Sequence, residues 1–423
     1  MRQRMMIGAV AAMASTALTS AAVNLSNDPM EPVWKLFEEG RDLSALDRLH
    51  ALAFRKDGSV LNEAAVQMSD QFSPRLNGEI DSSLLKRGGM GPPATPKDTA
   101  AVSGAEQRDA IATITKMARN RRIVILNEEH DAPEGRAFGL SVARVLRPLG
   151  FNVLAAEAFT NSKKPDKTDM AALAKRGYPV GRTGTYTGDP AFGDFIRQAL
   201  ALGYEPISYE QTVDQNGPKG GDVIDAREMA EASNLQTAMA RRPHAKFFIY
   251  VGYSHAAKTP LEDASRQKSH FWMAGRLKQA TGLDPLSIDQ TTLGAANVSQ
   301  SSRMLRNIVQ GQGLSRPVIL FTGEKPLRVG RNRDAVDVQV VHPATRMVHG
   351  RPSWLETMGR HPVQPGPGLV PKSGRSLVQV FLANEGTDAI PVDQAVLEPG
   401  KTCWFMLPAK PVRFVVREHL PAH

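Results

Sequence analysis

Residues 122–131 read Arg-Ile-Val-Ile-Leu-Asn-Glu-Glu-His-Asp: four aliphatic side chains, then, after Asn127, four ionisable ones. A short apolar run bounded by polar residues suits a strand buried on both faces. A helical pattern follows at Arg136–Leu146, then a second apolar strand at Asn152–Ala156. Strand, helix, strand in so few residues predicts a parallel crossover unit. The same alternation continues downstream. Helices are expected at Phe192–Leu202, Ala226–Met239 and Phe271–Thr281, and strands at Glu205–Tyr209, Lys246–Val251, Pro285–Ile288, Pro317–Phe321 and Val336–Val341. Upstream, Gln107–Ala118 reads as a helix. The expected core, 105–345, is therefore an α/β domain with a mostly parallel central sheet flanked by helices.

The flanks differ in texture. Leucines at 43, 46, 49 and 52 predict an amphipathic helix, and 61–68 another, so 23–76 reads as a helical N-terminal segment. Gly, Pro, Ser and Thr crowd 77–104, which reads as a linker. After 345, short apolar runs separated by Asn-Glu-Gly and Pro-Gly turns predict a β-rich C-terminal extension, 346–423. Two arginines precede an uncharged run ending Ser20-Ala21-Ala22, the pattern of a secretory signal peptide over 1–22. The expected location is secreted or periplasmic, with no membrane span in the mature chain.

Composition narrows the function classes. The 423 residues are 41% hydrophobic and 22% charged, which excludes disordered, collagen-like and coiled-coil chains. The net charge is +9, yet no dense basic stretch with interleaved aromatics stands out, so no nucleic-acid partner is expected. Cys403 is the one cysteine, which leaves neither an internal disulfide nor a multi-cysteine zinc site.

The chemistry is concentrated where strands end. Glu128 and His130 follow the first core strand, Glu157 the second, and Gly252-Tyr253-Ser254-His255 a later one; Glu210, Asp289 and His342 close three others. In open α/β sheets, ligands bind outside the carboxyl ends of the strands. Glu128, His130, Glu157 and His255 are therefore the expected catalytic residues. A carboxylate beside an imidazole supports general-base catalysis. The same two acids and two histidines also suit a divalent Zn, Mn or Co that activates water. No HExxH, Gly-X-Ser-X-Gly or P-loop pattern is present. Tyr209 reads as core packing with a satisfied hydroxyl, and His270 and Trp272 as packing.

Asn127-Glu128-Glu129-His130 resembles the Gly-Glu-x-His motif of the erythromycin esterase/ChaN-like superfamily, which includes TIKI- and TraB-type proteins. Glu157 is similar to its strand-closing glutamate, Gly252-Tyr253-Ser254-His255 to its Gly-x-x-His, and Arg227-Glu228-Met229-Ala230 loosely to its Arg-x-x-Met-Ala helix. Asn127 stands where the family has glycine, a change expected to narrow the site. The resemblance implies one cleft holding the acids and histidines. It implies either a hydrolase of an ester, lactone or amide bond in a small molecule or peptide, with or without metal, or a haem-binding protein of ChaN type. In the second case Tyr253, His255 or His130 would be the cofactor ligands. A non-catalytic binding module is the third alternative.

Overall fold

The computed structural model describes residues 29–80, 91–162, 170–184, 186–217, 222–263 and 268–422. The expected leader at 1–22 lies outside them. The core strands are β1 (Glu106–Asp109), β2 (Ile123–Glu128), β3 (Phe151–Ala156), β4 (Glu205–Ile207), β5 (Lys246–Gly252), β6 (Leu286–Asp289), β7 (Val318–Thr322) and β8 (Val338–Val341). They form one mixed sheet in the order β1-β7-β8-β6-β2-β5-β3-β4. From β8 to β4 every neighbouring pair is parallel, while β7 runs antiparallel to both β8 and β1. The α/β expectation holds.

Alternation along the strands separates two cores. Val124, Leu126, Leu154, Ala156, Phe248 and Tyr250 face α5 (Ala110–Ala118), α6 (Glu134–Leu146) and α7 (Pro190–Ala201). Ile123, Ile125, Val153, Ala155, Phe247, Ile249 and Val251 face α8 (Val223–Ala240) and α9 (Met273–Thr281). Each large aliphatic or aromatic side chain buried this way contributes roughly 1.5–3 kcal/mol. The sheet is thus covered on both faces, as its uninterrupted apolar runs require. Its carboxyl edge gathers the acids and histidines that close the strands.

Three expectations are corrected. The helix expected at Gln107–Ala118 begins only at Ala110, because Glu106–Asp109 pairs with β7 as an edge strand and Asp109 then caps the helix by accepting from the Ala112 amide. The expected linker contains α4 (Pro96–Ser103), started by the Thr95 side chain and anchored by Val102 against Leu305 and Val309 of α10 (Gln300–Gln310). The strand expected at Glu205–Tyr209 stops at Ile207.

The N-terminal helices α1 (Glu31–Glu38), α2 (Asp42–Ala53) and α3 (Glu63–Phe72) share a small core. They lean on the C-terminal strands β9 (Arg360–Val363), β10 (Arg375–Leu382), β11 (Asp393–Leu397), β12 (Phe405–Pro408) and β13 (Val412–Leu420). Glu418 accepts from the Leu43 amide at the start of α2, and Gln394 donates to Asp42. Buried Arg360 donates to Asp194 of α7, and Arg197 of α7 to Glu385. The two ends of the chain therefore brace each other and the helix layer beside the site.

Candidate functional site

Strand register sets the stage. Glu128, last in β2, is level with Gly252, last in β5; Ala156, last in β3, is level with Tyr250. Glu128, Glu157 and the 252–255 turn consequently meet at one carboxyl edge. The four catalytic residues expected from the sequence lie there, divided between two networks on opposite faces of the sheet.

On the α6/α7 face, Glu128 Oε1 lies 3.0 Å from His130 Nδ1. Its other oxygen accepts from Arg136 Nε at 3.0 Å and from the Tyr250 hydroxyl at 2.9 Å. Arg136 also pairs with Asp189, the cap of α7. Burial pushes the Glu128 carboxyl up, but Arg136 and His130 outweigh it and hold it below its ordinary value. A carboxylate so fixed orients the ring and leaves Nε2 as its working nitrogen. Gly252 shows where that nitrogen points: a Cβ there would lie 2.7 Å from His130 Nε2 and 3.1 Å from Glu157 Oε2. Only glycine admits the imidazole to this spot. Tyr186 stacks on the other face of the ring, centroids 4.1 Å apart, and is itself stacked on Phe72 of α3.

On the α8/α9 face stands a second network. Glu157 accepts from the Gly252 amide and, at 2.7 Å, from Arg227 of α8. His255 Nε2 is 3.4 Å from Glu157 Oε1 and 3.2 Å from Arg227 Nη1. Its Nδ1 meets Glu228 at 2.9 Å and Glu231 at 3.3 Å. Arg227 also binds Glu210. Burial works against a charged His255, yet Glu228, Glu157 and Glu231 outweigh it and raise its pKa well above the usual value. Burial likewise opposes the Glu157 carboxylate, and His255, Arg227 and His130 overcome it, so its pKa is lowered. Burial pushes Glu231 up to about 8. This edge thus brings an imidazole oriented by a carboxylate close to a guanidinium and to a second imidazole surrounded by carboxylates.

The other expected residues are placed as follows. Tyr253 has a φ of 37°, a strained value for a non-glycine residue. Its hydroxyl accepts from the His130 amide and donates to Asp131. Asn127 does not narrow the cleft; its amide donates to the Tyr253 carbonyl and to Asp289. Asp289 is a structural hub, accepting from Thr291, Thr292 and Gln339. His342 lies elsewhere, against Gln290 and a cavity of about 310 Å³. Tyr209 is buried as expected, but its hydroxyl has no hydrogen-bond partner among the described residues; nor has either ring nitrogen of His270, whose Nδ1 lies 3.9 Å from Asp222.

A metal shell made of Glu128, His130, Glu157 and His255 does not form. Glu128 is already consumed by Arg136 and Tyr250, and Glu157 by Arg227 and Gly252. Among the described residues the group that could hold a metal ion is Glu228, Glu231 and His255, all buried. Arg136, Glu228 and Glu231 were not expected from the sequence. The signal for the glutamates was available: spaced i, i+3 on one helix, they share a face.

No family model and no curated protein matches the chain. Among solved structures it is similar to RRSP, a MARTX toxin effector domain from Vibrio vulnificus, at 12% identity and a TM-score of 0.33 over 63% of this chain; it spans 57% of that one. It is also similar to the type III effector HopBA1, at 16% identity and a TM-score of 0.28, over 46% of this chain and 89% of that one. The C-terminal region of Pasteurella multocida toxin, described as having a thiol-protease-like triad, gives 13% and 0.31 over 60% and 34%. At these scores the likeness assigns no activity. No helix of the described residues is long and apolar enough to cross a membrane.

Proposed function

We propose that this chain is a hydrolase of an ester, lactone or amide bond in a small molecule or peptide, with His130 as general base. The observation that carries the reading is the Glu128–His130 pair, with Nε2 turned to the point where Gly252 and Glu157 meet. His130 Nε2 takes a proton from water, and the resulting hydroxide attacks the substrate carbonyl. Glu128 stabilises the imidazolium so formed. Arg227 supplies positive charge for the developing oxyanion, and Glu157 holds Arg227 and the His255 ring in place. The tetrahedral intermediate collapses as His130 returns the proton to the leaving group.

The order of the strand-end motifs supports the same reading through their resemblance to the erythromycin esterase/ChaN-like superfamily. The leader-like 1–22 supports export to the periplasm or medium. Haem fits poorly. His255 has carboxylates at one ring nitrogen and Glu157 and Arg227 at the other, and the Tyr253 hydroxyl is engaged by His130 and Asp131. A thiol mechanism fits no better, since Cys403 sits in the C-terminal β-rich region and burial raises its pKa.

The test is hydrolysis of a panel of esters, lactones and peptides by the wild type, His130→Ala and Glu157→Gln, each checked for folding by circular dichroism. Loss of about 10²–10⁴ in rate is expected in His130→Ala. Full activity in both folded variants would overturn the mechanism.

A further inference from the structure

The far edge of the His255 ring faces away from the cleft and carries chemistry the proposed mechanism leaves unused. Glu228 and Glu231 lie one turn apart on α8 and converge on His255 Nδ1. Nine buried side-chain polar atoms among the described residues lack a hydrogen-bond partner, and five belong to this neighbourhood. They are Glu228 Oε1, both oxygens of Glu231, the Tyr209 hydroxyl and Trp272 Nε1. The Trp272 ring lies 5.6 Å from that of His255 and 6.0 Å from that of His270; Tyr209 shares a core cluster with Met273 and Ala256. The three carboxylate oxygens are ion-paired without hydrogen-bond geometry: Glu228 Oε1 lies 2.9 Å and Glu231 Oε2 3.3 Å from His255 Nδ1, and Glu231 Oε1 3.1 Å from Arg227 Nε. Two acids crowding one imidazole nitrogen, with a buried hydroxyl and indole N–H beside them lacking any hydrogen-bond partner, are costly unless something occupies the place.

We propose that Glu228, Glu231 and His255 Nδ1 bind one divalent cation of the Mn²⁺, Co²⁺ or Zn²⁺ class, behind the cleft rather than in it. The donor spacing fits. Nδ1 lies 2.9 Å from a Glu228 oxygen and 3.3 Å from a Glu231 oxygen. Adjacent donors around an ion with bonds of about 2.1 Å are separated by roughly 3.0–3.4 Å. One imidazole and two carboxylates are a borderline-to-hard donor set suited to these ions. The Met273 amide donates to Glu228 at 2.7 Å, the kind of outer contact that fixes a ligating carboxylate. Ligation displaces the Nδ1 proton. Nε2 must then carry the ring's proton, directed at Glu157 Oε1. The cation is thereby a positioning device for His255 and touches no substrate. Its presence is independent of whether the cleft hydrolyses anything.

The experiment is to unfold the whole chain in chelator, refold it with MnCl₂, CoCl₂ or ZnCl₂, desalt it and measure metal content. The wild type and His130→Ala should each retain about one equivalent of at least one ion. Glu231→Gln and Glu228→Gln should retain less than about a tenth of that. Should those variants fail to fold, the wild type still decides: bound Co²⁺ should quench fluorescence in the wild type and much less in Trp272→Phe. No retained ion in the wild type, equal retention in the glutamate variants, or quenching unchanged in Trp272→Phe overturns the proposal.

Discussion

Glu128 Oε1 and His130 Nδ1 are 3.0 Å apart, while Arg136 and Tyr250 hold the other Glu128 oxygen. The acid is pinned by two partners, a guanidinium and a hydroxyl, before it meets the imidazole. That is the arrangement of an orienting carboxylate, because its two oxygens leave no freedom for the ring to turn.

Removing the pin from behind should be expensive. Arg136→Ala leaves the Glu128 and Asp189 carboxylates buried without their shared cation. We expect a loss of about 3–5 kcal/mol in urea unfolding. A change under about 1 kcal/mol would mean that the network is solvated in solution.

Gly252→Ala separates activity from stability. The added methyl would meet His130 Cε1 at 2.6 Å and Nε2 at 2.7 Å. Overpacking should cost about 1–3 kcal/mol, while displacement of the base lowers kcat/KM about 10²-fold or more. Unfolding curves and rates on one substrate check both. An active Gly252→Ala enzyme would mean that Nε2 does not work at this point.

The expectations that held and those that failed share a physical basis. Apolar runs such as 123–126 and 247–251 announce strands because burial on both faces forbids polar interruption, and their last residues can be read off directly. Glu106–Asp109 gave no such signal: an edge strand of four polar residues is created by its partner β7. Glu128, His130, Glu157 and His255 were legible because each closes a strand or follows one. Arg136, Glu228 and Glu231 sit inside helices, where a charged residue ordinarily means a solvated face. The i, i+3 spacing puts the two glutamates on one face, but the packing is what turns that face, and Arg136, inward.

Acid should weaken the fold through His342. Burial lowers its pKa from 6.5 to about 4, so the unfolded chain binds the proton more readily. Its contribution is full above about pH 6.5 and is lost as the pH falls through 4, up to about 3 kcal/mol. Glu134, in the same cavity, has the opposite sign: burial raises it to about 8, and its contribution fades as the pH climbs from 4.5 through 8. Urea midpoints against pH should show His342→Gln flattening the acid limb and Glu134→Gln the alkaline one. Unchanged limbs would contradict the assignment.

Tyr186 should act as a cover. Its ring lies on His130, and its hydroxyl reaches Gln71 of α3 at 3.3 Å. In Tyr186→Ala, His130 should react faster with diethyl pyrocarbonate, read by peptide mass spectrometry. An unchanged rate would show that another element closes the ring off.

The central claim, that the His130 imidazole is the base, is tested most directly by chemical rescue. His130→Ala leaves a ring-shaped space between Tyr186 and Gly252. Free imidazole added to this variant should restore hydrolysis of a wild-type substrate in proportion to its concentration, and should leave Glu157→Gln unaffected. Hydrolysis by His130→Ala at the wild-type rate without imidazole would contradict the account.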